Sequence, residues 1–157
     1  MIYRLVIAVA VMTALLGATA PALSTARADA ASSVMERQQS ELAADLATLV
    51  ETDVATADGD ARRAVEIRLP ARTYTNAGVD YLQFETRAGV GVATWQVGSR
   101  KRTERLVETP IRTTASTDRL EESGVHRLVF VLTRSDSQRI LTVHRFKSEA
   151  AARGGHA

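Results

Sequence analysis

The chain has 157 residues, 45% of them hydrophobic and 24% charged, which fits one ordinary globular domain with a short appendage and excludes wholesale disorder. It contains no cysteine, so disulfides, Cys-type zinc sites, thiol catalysis and attachment of a lipid to a lipobox cysteine are excluded. The formal net charge of +2 hides a split: residues 1–28 carry two bases and no acid, residues 29–60 about −7, and residues 61–157 about +7. That split predicts an acidic helix beside a basic β-domain. With three Phe, three Tyr and one Trp, the core is built mainly from Val, Leu, Ile and Ala. The one asparagine, Asn76, lies in Asn76-Ala77-Gly78, which is not a glycosylation sequon.

Residues Leu5 to Leu23 carry no charge. As a helix they would span about 28 Å, close to the hydrocarbon thickness of a bilayer. Arg4 flanks the run, so the positive-inside rule orients the N-terminus toward the cytoplasm and the rest of the chain outward. The leading reading is a retained single-pass anchor. The alternative is cleavage: Ala26-Arg27-Ala28 ahead of Asp29 has the small-x-small form of a signal-peptidase site.

From Ser32 to about Val54 the apolar period becomes helical. Met35, Leu42, Leu46, Leu49 and Val50 form one stripe with Ala43 and Ala47 beside it, and Glu36, Glu41 and Asp45 lie on the other side. Ser33 with Glu36 fits a capping box that would start a fresh helix, unless one helix runs unbroken from the apolar segment. The stripe is read first as packing on the β-domain and second as the seam for a partner helix. Asp58-Gly59-Asp60 marks a turn.

Beyond Ala61 the period becomes two. Val65, Ile67 and Leu69 alternate with charged residues and end at Pro70. Further strands are expected at Tyr81–Glu85, Val92–Val97, Thr103–Ile111, Val125–Thr133 and Arg139–Phe146, with Gly98–Arg102 as a polar turn. The last two make an antiparallel hairpin around residues 134–138. The expected fold class is α+β, an N-terminal apolar helix and an amphipathic helix followed by a small antiparallel β-sheet or sandwich. The expected division is a signal or anchor over 1–28, an acidic helix and linker over 29–60, a β-rich domain over 61–149 and a frayed tail over 150–157.

No Walker loop, G-x-S-x-G, H-E-x-x-H or dinucleotide fingerprint is present. No catalytic, cofactor or metal residue is therefore assigned, and no cofactor is expected. His126 and His144 fall on the two strands of the hairpin, a weak pair without a carboxylate partner. Glu121-Glu122 are sequence neighbours, which on a strand point to opposite faces. Arg100, Lys101, Arg102 and Arg105 form the densest basic patch. It is read as a solvated turn or as a contact for something anionic: lipid headgroups, acidic glycans or an acidic protein. Nucleic acid is not expected, because no aromatic platform accompanies the patch.

The layout of apolar helix, amphipathic helix and small β-domain is similar to that of type IV pilins and the pseudopilins of secretion machines. More narrowly, Arg62-Arg63-Ala64-Val65-Glu66-Ile67-Arg68-Leu69-Pro70, Thr73 to Asp80 and Gly124-Val125-His126-Arg127-Leu128 resemble a haloarchaeal family of uncharacterised membrane-anchored proteins. That family accompanies genes of pilus-like secretion systems. The resemblance implies a non-catalytic accessory component, anchored through residues 5–23, with protein partners in a membrane or secretion assembly. The alternative is a secreted β-rich module released after Ala28 that binds an anionic ligand or an acidic protein.

Overall fold

The computed structural model describes residues 2–53, 61–135 and 138–146; of residues 2, 5 and 14–21 it describes the backbone alone. One helix, α1 (Ile2–Thr52), is followed by eight strands. They are β1 (Ala61–Leu69), β2 (Tyr81–Arg87), β3 (Val90–Val97), β4 (Arg100–Val107), β5 (Ile111–Thr113), β6 (Arg119–Leu120), β7 (Gly124–Ser135) and β8 (Gln138–Arg145). The chain is α+β, and its strands form two four-stranded sheets in the orders β1-β7-β8-β5 and β4-β3-β2-β6.

The helix runs unbroken through the Ala28–Ser33 region, so the Ser33–Glu36 capping box does not start a second helix. The physical reason lies on both sides of that point. Residues 26–31 are rich in Ala, the best helix former, and the buried seam is already under way there. Ala28 packs against the core and Ala31 and Ser32 are buried. The seam continues through Met35, Gln39, Leu42, Leu46 and Leu49, alternating steps of three and four that keep one face on the sheets. The division expected at residue 28 therefore falls inside an element that is half seam and half projecting.

The two sheets face each other. Phe84 of β2 meets Phe130 of β7 edge to face, with ring centroids 5.7 Å apart. Leu82, Trp95, Leu128, Leu132, Leu141 and Val143 are at most 2% exposed and fill the space between them. The seam of α1 contacts edge strands of both sheets, β4 of one and β1 of the other, and so closes the open side of the sandwich.

Two expectations change in detail. Gly98–Arg102 is not a turn: only Gly98 and Ser99 connect β3 to β4, since Val97 pairs with Arg100. Nor does one strand run from Thr103 to Ile111. The chain breaks at residues 108–110 and crosses to the other sheet, where β5 pairs parallel with β8. Pro110 suits such a break, because it has no N–H for a ladder. The sheets are otherwise antiparallel. The turn expected at residues 58–60, the middle of the β7–β8 loop and the tail over 150–157 lie outside the described residues.

Candidate functional site

Of the basic patch, Arg100 and Arg102 lie on the inner face of β4, turned toward α1, and Lys101 lies on the outer face. This follows from strand alternation and from their partners Val97 and Trp95 across the ladder, both buried. Arg100 Nη1 meets Asp29 Oδ1 at 2.6 Å, and Arg102 Nη1 lies 3.9 Å from Glu36 Oε1. Arg105 pairs with Glu108. On the other sheet Arg63 meets Asp45 at 2.8 Å. Arg139 donates to the Val50 carbonyl at 2.8 Å, near the electron-rich C-terminal end of the helix. The acidic helix and basic domain read from the sequence are thus laced together within one chain. The three ion pairs between helix and sheets are about half exposed and Arg105–Glu108 more so, so each contributes roughly 0–1 kcal/mol; those to the helix orient it more than they hold it. Among the described ion pairs, Lys101 takes no part.

The same face holds Glu104. Partial burial pushes its carboxyl above the ordinary range, and the neighbouring Glu36 carboxylate adds to this, while Arg102 pulls the other way. Next to it the helix closes the exposed edge of β1. Gln38 donates to the Arg68 carbonyl at 3.0 Å and accepts from the Arg68 N–H at 2.7 Å, as a neighbouring strand would. Gln39 is fully buried in the seam, and among the described residues neither Nε2 nor Oε1 has a hydrogen-bond partner; the Trp95 indole N–H has none there either.

The two histidines are not brought together. His126 is buried on the inner face of β7, whereas His144, paired with Val129, is exposed on the outer face of the same sheet. His126 Nε2 lies 2.6 Å from the Glu122 carbonyl, and Arg145 Nη2 lies 3.3 Å from Nδ1. Because a carbonyl only accepts and a guanidinium only donates, this geometry assigns the proton to Nε2 and the lone pair to Nδ1. Glu121 and Glu122 follow β6 instead of lying on a strand, and they pair with Arg119 and Arg145. With Leu120 these groups line a polar hollow of about 190 Å³. Among the described residues no group of three or more His, Asp or Glu could hold a metal.

At the other extreme of the helix the side chains stand free. Val6, Ile7, Val9, Val11 and Met12 are 47–68% exposed and Tyr3 is 78% exposed. Where this half meets the body, the loop after β1 is tied to it. The Ala77 N–H donates to the Arg27 carbonyl at 3.2 Å, and the Arg27 guanidinium lies 5.7 Å from the centre of the Tyr74 ring. Among the described residues no helix is long and apolar enough to cross a membrane; residues 14–21, in the middle of the uncharged run, are described by backbone alone.

The family model described as "Domain of unknown function (DUF7311)" matches residues 2–146. The chain belongs to this family. The match takes in the free half of α1, the seam and all eight strands, so membership covers the helix and the body as one unit. No curated protein and no solved structure matches the chain.

Gln39 and the Arg27–Tyr74 contact escaped sequence reasoning. A signal for the first was present: the stripe from Met35 to Leu42 skips one helical step, and position 39 fills it. No signal marked the second, since Tyr74 sits in a loop that only the tertiary fold carries to Arg27.

Proposed function

We propose that this chain is a non-catalytic, membrane-anchored accessory or pseudopilin-like component of a surface or secretion assembly, with its N-terminus cytoplasmic and its β-rich body outside. The observation that carries this reading is the free half of α1. It is helical and its described apolar side chains stand clear of the body. Full burial of one such side chain contributes about 1.5–3 kcal/mol, so the five half-exposed residues between Val6 and Met12 forgo on the order of 5 kcal/mol unless something apolar covers them. The uncharged run from Leu5 to Leu23 has the length of a bilayer core. The likeness to the haloarchaeal family that accompanies pilus-like secretion systems supports an assembly role.

The alternative, a secreted module released after Ala28, has less support. The junction at residue 28 lies within continuous helix, and the Arg27 carbonyl and Ala28 on its N-terminal side take part in the body's contacts. The test is fractionation of expressing cells with mass determination of the mature N-terminus. A membrane-bound chain that retains residues 5–23 is expected. A soluble exported species beginning at Asp29 would overturn the anchor and leave the secreted module.

A further inference from the structure

Resting on that reading of α1 as an anchor, we infer that the end of the body from which the free helix emerges is a second membrane contact, a base that seats on anionic headgroups. Its parts are the loop carrying Arg72 and Tyr74 and the β3–β4 tip with Arg100 and Lys101.

The depth follows from the helix. The loop is pinned at Arg27 by the Ala77 N–H. Arg27 is four residues past Leu23, the last residue of the uncharged run, hence about 6 Å along the axis. The headgroup layer on each side of a bilayer is about 5–8 Å thick. The loop is thus tied to the helix at headgroup depth. The β3–β4 tip is tied two residues further on, through Arg100 and Asp29.

The chemistry fits that depth. Tyr74 is 90% exposed, far more than an aromatic side chain with any packing role in the body. An amphipathic ring with a hydroxyl is the side chain that favours a membrane–water interface. The helix, the loop and the β3–β4 tip bring four bases to this end, Arg27, Arg72, Arg100 and Lys101, of which Arg27 lies against the Tyr74 ring, and two of them face carboxylates. Arg100 meets Asp29, and Arg72 lies 3.7 Å from Asp80. The surplus is positive, and Lys101 is outside the described ion pairs. Glu121 and Glu122, beyond β6, are paired with Arg119 and Arg145 and leave no surplus acid there.

Distance excludes the other exposed apolar side chains of the body from this base. Val125 pairs with Arg68, which Gln38 holds. Gln38 is eleven residues past Arg27, or about 16 Å further along the axis. Phe146 lies near Glu66 and Arg127, further still from the anchor.

The absence of cysteine permits a single labelled site in the full chain. Thr75→Cys places a polarity-sensitive fluorophore beside Tyr74. Thr52→Cys places the same probe at the far end of α1, about 37 Å from Arg27 along the axis. Both are reconstituted in vesicles of phosphatidylcholine alone or mixed with phosphatidylglycerol, and flotation is recorded in parallel. The expected result is flotation in both lipids, with a blue-shifted label at residue 75 that headgroup-linked quenchers reach in the anionic vesicles, and a water-like label at residue 52. Adding Arg72→Ser or Lys101→Ser should lower the ratio of seated to lifted base about fivefold for each charge removed. A floating protein whose label at residue 75 is as water-like as that at residue 52 in both lipids would overturn the seating and leave the anchor standing. Failure to float in either lipid would overturn the anchor and the base together. A label at residue 75 shielded in native membranes and not in protein-free vesicles would overturn the lipid contact in favour of a protein partner.

Discussion

Gln39 offers the most direct test of the helix–sheet packing. It is fully buried in the seam, between Met35 and Leu42, and both amide atoms lack a partner among the described residues. An unsatisfied buried polar group costs about 1–3 kcal/mol. Gln39→Leu removes that cost and adds apolar burial at similar volume and similar helix propensity, against a reshaping cost under about 1.5 kcal/mol. The net expectation is a stabilisation of about 1–3 kcal/mol, worth roughly 4 °C of melting temperature per kcal/mol for a domain of this size. Urea unfolding of the full chain in mild detergent, followed by the emission of Trp95, reads it directly, since that single tryptophan is fully buried on β3. Loss of more than about 1 kcal/mol would refute the reasoning, because it would mean the amide is well satisfied in the folded protein.

Three further outcomes are expected. Gly78 adopts φ +75° and a Cβ there would stand 2.8 Å from the Arg72 backbone nitrogen, whereas at Gly98, φ +59°, a Cβ meets nothing within 4 Å. Thermal melts should therefore show Gly78→Ala destabilising by about 2 kcal/mol or more and Gly98→Ala by about 1 kcal/mol. Glu104 binds its proton more tightly folded than unfolded, so its ionisation costs stability that is lost as pH rises from the ordinary value of 4.5 through the raised one. Glu104→Gln should raise the melting temperature at neutral pH and leave it unchanged below pH 4.5; equal effects at both would sink the assignment. Changing Arg100, Lys101, Arg102 and Arg105 together to Ser should cost no more than about 1 kcal/mol per broken pair in urea unfolding, and less at high salt.

Much of the body was legible because its signals are local. Alternation marked β1, β7 and β8, and the stripe Met35, Leu42, Leu46, Leu49 named most of the buried face of α1. These patterns are written in a few neighbouring residues, and burial of one face produces them directly. The length and lack of charge of residues 5–23, the absence of cysteine and the acid–base split also stand on the sequence alone.

Other features depend on what each segment meets. Residues 100–102 are all basic and read as the end of a polar turn. They belong to an edge strand because β3 supplies hydrogen bonds on one side and α1 supplies acids to the inward Arg side chains. The capping box at Ser33 is a sound local signal that the docked seam overrides, since breaking the helix there would misplace Ala28 and Ala31. The crossing from β4 to β5, the separation of His126 from His144 onto opposite faces, and the meeting of Arg27 with Tyr74 all join residues far apart in the chain. No short window encodes such contacts, because they arise from which sheet faces which and from how the helix closes the gap between them.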